Sequence, residues 1–201
     1  MNRKNEPEGD FPTPISVGER KLEYMTIRAI VFDWGNTLMR VFPESHGPMA
    51  YWPRVEAMPG VIPALSDLCG IYPLYLATNA SDSDANLVRC ALRRVGLEDF
   101  FAGIFSSKEL HACKPDPLFY QRVLRAFGFP ANEVVMVGGD YRADILGARQ
   151  VGLRTIWYNP ASLPRPIDTP MHDAEIQTMS DLPAILIELS NREKQVSDIE
   201  S

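Results

Sequence analysis

Four consecutive apolar residues, Ala29-Ile30-Val31-Phe32, end on a carboxylate, Asp33, and a glycine-containing turn, Trp34-Gly35-Asn36-Thr37-Leu38. An apolar run without alternation has no polar side. It suits a strand covered on both faces, as in a parallel sheet. That strand is expected over residues 27–33. Its closing carboxylate then stands at the C-terminal strand end, where open α/β sheets hold their ligands. An aspartate placed there can act as a nucleophile. Gly35, two residues on, offers no side chain.

The same pattern recurs along the chain. Residues 72–78 (YPLYLAT) read as a second strand. Leu87, Val88, Ala91, Leu92 and Val95 then fall at helical spacing, with Ser81 or Asp82 as cap and Gly96 as stop. Ile104-Phe105 make a short third strand, and Phe119, Tyr120, Val123, Leu124 and Phe127 line one helix face that Gly128 ends. A fourth strand is expected over 133–137, broken by Gly138-Gly139; a helix over about 143–150; a fifth strand over 153–158. Pro59-Gly60 precedes a short helical pattern through Leu65 and Leu68. Regular alternation predicts an α/β fold, a doubly wound parallel sheet with right-handed crossovers. Residues 39–58, with Pro43, Pro48, Pro53 and several aromatics, predict an ordered flap. Residues 160–170 read as a loop and 182–189 as a terminal helix. Residues 1–24 read as a flexible leader, 25–190 as the domain and 191–201 as a solvated tail.

Composition serves mainly to exclude. A chain of 201 residues suits one domain. A net charge of −6 argues against nucleic acid or an anionic membrane surface as partner. No apolar stretch has the length to span a bilayer, and the charged N-terminus lacks the apolar core of a signal peptide. Three cysteines without metal-site spacing read as reduced thiols of a cytoplasmic protein.

Successive strand ends carry Asp33, then Thr78-Asn79, then Lys114, then Asp140 and Asp144. Together these are a nucleophile candidate, two phosphate-binding groups, a cation and an acidic pair. Each has an ordinary alternative. Asp33 can be a turn residue, and Thr78-Asn79 can cap the next helix. Lys108 rivals Lys114, and Asp116 fits a helix N-cap better than a catalytic role. Trp34, Tyr51, Trp52 and Arg54 can line the site entrance or simply pack the flap. His46, His111 and His172 lack partners at ligand spacing and read as surface residues, and Cys113 reads as a packing residue.

Four segments in order resemble the haloacid dehalogenase superfamily of hydrolases. They are Phe32-Asp33-Trp34-Gly35-Asn36-Thr37-Leu38; Ala77-Thr78-Asn79; Lys114-Pro115-Asp116-Pro117 with Phe119; and the run Val137-Gly138-Gly139-Asp140 through Asp144 to Ala148. The resemblance covers roughly residues 27–159 and implies that family's Rossmannoid fold. It implies a Mg²⁺-dependent phosphatase in which Asp33 attacks phosphorus and forms an aspartyl-phosphate. Lys114 would hold Asp33 and the phosphoryl group together, and Thr78 and Asn79 would bind phosphoryl oxygens. Asp33, the Gly35 carbonyl and Asp140 would ligate the metal, with Asp144 as a ligand or a partner behind the ligands. The doubled glycine leaves a second alignment open, in which Gly139 takes the place of the family's first acid. The substrate would be a phosphorylated small molecule or a larger phospho-substrate.

The resemblance has two departures. Phosphatases of this family carry a second aspartate two residues after the nucleophile, and this chain has Gly35. Either the leaving group needs little protonation, as in acyl or aryl phosphates, or a substrate group or a flap residue such as Glu44 or His46 replaces the acid. Otherwise the chain is a weakly active or inactive relative that binds a phospho-ligand or a protein. Dehalogenase-type and phosphonatase-type hydrolases also lack that acid, but they carry a large helical cap. Here residues 38–77 must also contain a core helix and have no lysine. A minimal flap therefore stands in place of the cap, which makes the chain resemble the capless branch. The open site leaves room for a partner subunit as lid, so a homo-oligomer fits.

Overall fold

The computed structural model describes residues 27–199, with side chains through residue 191. The leader expected over 1–24 lies outside them. Six parallel strands form one sheet in the order β3-β2-β1-β4-β5-β6. The strands are β1 (Ala29–Phe32), β2 (Leu74–Thr78), β3 (Phe101–Ser106), β4 (Val134–Gly138), β5 (Arg154–Tyr158) and β6 (Ala174–Ile176). The helices are α1 (Val61–Leu68), α2 (Ala85–Arg93), the single turn α3 (Ser107–Leu110), α4 (Pro117–Phe127), α5 (Gly147–Gln150) and α6 (Leu182–Ile199). None is long and apolar enough to cross a membrane.

The unbroken apolar run of β1 is explained by its central place. It pairs with β2 on one side and β4 on the other. Its side chains also divide between two apolar layers. Ile30 and Phe32 meet Leu65, Leu92, Leu182 and Leu186 on one face. Ala29 and Val31 meet Phe119, Tyr120 and Val123 of α4 on the other. Strand order runs outward from β1 in one direction and from β4 in the other. The two loops that leave these strands therefore diverge and open a crevice.

The segment between β1 and α1 folds back onto the first layer. The Arg40 amide donates to Glu56 O at 2.9 Å and the Met58 amide to Leu38 O at 2.8 Å. Arg94 of the loop after α2 pins the segment from outside, donating to the carbonyls of Ala50, Trp52 and Pro53 at 3.1, 2.6 and 3.3 Å. Trp34 and Trp52 are buried packing residues here, and Tyr51 is exposed.

Several elements differ from the sequence reading. The cap of α2 is Asp84, which accepts the Leu87 amide at 3.0 Å. Ser83 donates instead to Asp82, and the chain stays non-helical until residue 84. Strand β3 spans six residues because pairing with β2 recruits Gly103 and its neighbours. Strand β6 was not anticipated. Three residues of mixed polarity carry no pattern, and it forms because Asp173 bonds Thr155 through both its amide and its carboxylate, each at 2.8 Å. Helix α6 continues to Ile199, past the expected end at 189. His172 is not a surface residue: its ring packs against Tyr141 and Trp157, and burial lowers its pKa.

Candidate active site

Asp33, at the exit of β1, accepts two hydrogen bonds. Lys114 Nζ donates to Oδ1 at 2.7 Å, and the Thr37 hydroxyl donates to Oδ2 at 2.8 Å. Thr37 is fully buried and its Oγ1 in turn accepts the Gly139 amide at 3.1 Å. One hydroxyl thus joins the β1 exit to the β4 exit. Sequence reasoning did not assign Thr37 a role, although its place four residues after Asp33, in the same turn, was a signal.

Lys114 sits in the loop between α3 and α4, with its ammonium between two carboxylates. It donates to Asp144 Oδ1 at 2.6 Å as well as to Asp33. Burial, the largest influence, would strip its proton; Asp144 and Asp33 outweigh burial and hold the pKa above the ordinary lysine value. Asp144 is fully buried, and its pKa rises through burial first and the Asp33 charge second, with Lys114 pulling the other way. The rival cation, Lys108, lies at the surface with Asp84 at 4.0 Å.

Asn79 stands beside Lys114, with both ends of its side-chain amide engaged. Its Oδ1 accepts the Lys114 amide at 2.7 Å, and its Nδ2 donates to the Lys114 carbonyl at 2.9 Å. The side-chain amide clamps the lysine backbone, and Asn79 also borders the site cavity. Thr78 Oγ1 accepts the Ala80 amide at 3.1 Å, which leaves its own proton to donate. Asp116 caps α4 by accepting the Leu118 amide at 2.8 Å.

Asp140 and Asp144 have different surroundings. Asp140 is exposed, and its Oδ1 caps the next turn by accepting the amides of Arg142 and Ala143 at 2.9 and 2.8 Å. Its own amide donates to Asp144 Oδ2 at 2.9 Å. Both Asp144 oxygens are therefore engaged. The turns between them, Tyr141–Leu146, are π-helical, a conformation frequent at functional sites. Tyr120 closes the floor by donating to the Ala143 carbonyl at 2.6 Å. Gly138 has a steric reason: a Cβ there would fall on the Asp144 carboxyl.

These groups line a cavity of about 240 Å³ that Asp33, Thr78, Asn79, Lys114, Asp140 and Asp144 share. Glu44 and His46 are not among its lining residues. The cavity offers a buried cation, a free hydroxyl proton and a held carboxylate, a set suited to a small tetrahedral anion beside a nucleophile.

The model of haloacid dehalogenase-like hydrolases matches residues 41–152, more than half of the chain. The chain belongs to the haloacid dehalogenase-like hydrolases. Asp33 lies just before the matched span, so its part in the site rests on the geometry above. Pyrimidine 5'-nucleotidase PynA of Streptococcus pneumoniae is 38% identical over 93 residues, 46% of this chain and 38% of that protein. The chain thus spans well under half of that relative. The crystal structure of a 2-haloacid dehalogenase from Pseudomonas syringae is 36% identical, with a TM-score of 0.59 over 68% of this chain and 55% of that one. YfnB of Bacillus subtilis, solved bound to magnesium, shares the fold with a TM-score of 0.67 at 18% identity, over 80% of this chain and 99% of that one.

The oxygen donors can be weighed against that metal. The described residues contain no group of three or more His, Cys, Asp or Glu placed to hold an ion. Mg²⁺ asks less, since one or two carboxylates with phosphate oxygens and waters complete its shell. Asp33, Gly35 and Asp140 border the same cavity, and Asp140 Oδ2 has no protein partner among the described residues. The donor set fits Mg²⁺ as a site that substrate phosphate completes.

Proposed function

We propose that this chain is a Mg²⁺-dependent phosphatase acting on phosphoric monoesters through an aspartyl-phosphate on Asp33. The observation that carries this reading is the Lys114 ammonium, held 2.7 Å from Asp33 Oδ1 at the wall of an anion-sized cavity. The named activity of the pneumococcal relative, a nucleotidase, supports it. So do the three free cysteines for a cytoplasmic setting.

Phosphoryl transfer depends on positioning and on neutralising charge at the equatorial oxygens. Lys114 and the Thr37 hydroxyl orient the Asp33 carboxylate. Lys114 also faces the phosphoryl oxygens, and the Thr78 hydroxyl donates to one of them. Asn79 holds the Lys114 backbone, and Asp144 keeps the lysine charged and aimed. Asp33, the Gly35 carbonyl and Asp140 would hold Mg²⁺, which when bound supplies further positive charge. The site is open enough for a phosphorylated small molecule or a larger phospho-substrate.

A screen of sugar, nucleotide, acyl and aryl phosphates with and without Mg²⁺ tests the reading. Phosphate release that EDTA abolishes is expected. A second reading, carbon–halogen hydrolysis, draws on Gly35 and on the likeness to the haloacid dehalogenase. Halide release from a 2-haloacid without added metal, with no phosphate release from any ester, would replace the first reading with this one.

A further inference from the structure

A second cavity, of about 510 Å³, adjoins the first and shares Asp33, Gly35 and Asp140 with it. Lys114 and Thr78 do not reach it. Its outer wall is the exit of β5: Tyr158, Pro160, Ala161 and Leu163. That wall is apolar, and it is built. Asn159 accepts the Leu163 amide at 2.9 Å and donates to the Leu163 carbonyl at 2.9 Å and to Glu175 at 2.7 Å. The loop behind the wall is thus closed on itself and tied to β6. Tyr158 is 3% exposed and borders the cavity.

We infer that the substrate's leaving group is an aryl oxide whose ring occupies this second cavity. The inference rests on the phosphatase reading and names its substrate class. Two independent observations meet in it. The chemical one is Gly35: position 35 borders both cavities and offers no acid to the departing oxygen. An Asp33 oxygen bonds to phosphorus, the bond from phosphorus to the aryl oxygen breaks, and its electron pair leaves on that oxygen. A phenol, with a pKa of about 10 as in tyrosine, releases its oxide far more readily than an alcohol, whose pKa lies far higher, near that of water. The structural observation is the wall itself. Tyr158, Pro160, Ala161 and Leu163 line the same cavity as Asp33 and Gly35, so an apolar ring held there adjoins the nucleophile.

The test uses the full chain with Mg²⁺, the native protein and an Ala161→Trp variant, on phenyl phosphate, glycerol 3-phosphate and acetyl phosphate. Ala161 is exposed, so a tryptophan there narrows the cavity without entering the core. The native protein is expected to prefer phenyl phosphate to glycerol 3-phosphate in kcat/KM. The variant is expected to raise KM for phenyl phosphate about 10-fold, the loss of a modest apolar contact area. Acetyl phosphate has a good leaving group and no ring, so its KM should stay within about twofold. Equal kcat/KM on phenyl and glycerol phosphates overturns the substrate class. No change in the variant, or the same change on phenyl and acetyl phosphates, overturns the placement of the ring. Absence of release from all three removes the phosphatase reading and this inference with it, a result distinct from the other two.

Discussion

The two walls of the site are built differently. On the Lys114 wall nearly every polar atom is engaged: the ammonium bridges Asp33 and Asp144, Asn79 grips the lysine backbone from both sides, and Asp144 accepts the Asp140 amide. On the opposite wall stand two glycines, Gly35 and Gly139, where a carboxylate would bear on the leaving group or a metal. The dense wall is suited to holding an anion beside the Asp33 carboxylate. The bare wall is where protonation of a leaving group and strong metal ligation would arise. On the proposed reading, binding and positioning fall to the dense wall, and proton delivery would be left to the substrate's own chemistry.

The largest expected effect breaks the comparison at its centre. Asp33→Asn should lower Mg²⁺-dependent turnover by more than about 10⁴-fold, because the neighbouring carboxylate, Asp144, is buried and engaged. Turnover that persists in this variant would show that the dense wall does not serve Asp33.

Next, Lys114→Met removes the ammonium that two carboxylates share. Breaking a buried ion pair on one side costs about 3–5 kcal/mol, which urea unfolding would read. The pH sign follows from Asp144, whose pKa in the folded protein is already raised by burial and by Asp33 and loses its only lowering charge. A group with a raised folded pKa contributes stability below its ordinary value and loses it as pH rises through the folded one. The variant should therefore be closer to native stability at pH 5 than at pH 8. An equal deficit at both would mean that Asp144 is already neutral beside the lysine.

The smallest effect sharpens the other wall. A Cβ at Gly35 meets Val41 Cγ2 at 3.0 Å, and Val41 is partly exposed, so Gly35→Asp combined with Val41→Ala should fold. A carboxylic acid restored there should raise activity on alkyl phosphates, by up to about 10²-fold, and on aryl phosphates much less. Equal gains on both classes would show that leaving-group protonation is not what the bare wall lacks.

The strand-end residues were legible because their signal is local. Asp33 closes an unbroken apolar run, and a run that is buried on both faces can only be an interior parallel strand. Thr78 follows from the same rule at β2, whereas Lys114 and Asp144 stand beyond their strands and were singled out by the family resemblance of their segments. Strand β6 and the cap of α2 were not legible. The first depends on Asp173 meeting Thr155, and the second on how far the chain must travel before the helix can begin.

The sequence by itself determined the parallel α/β sheet, the order of chemical groups along its edge and the glycine where an acid is missing. The first two depend on residue type and short spacing, and the third on the family resemblance of the segment around Asp33. The tertiary structure alone decided what each group does with its oxygens and nitrogens. It bound the Asn79 side chain to the Lys114 backbone, engaged both Asp144 oxygens, gave Thr37 a place between two strand exits, and opened a cavity with an apolar outer wall beside Gly35. Those outcomes depend on distances between residues up to about a hundred positions apart, such as Thr37 and Gly139, and only the folded sheet brings them within reach of a hydrogen bond.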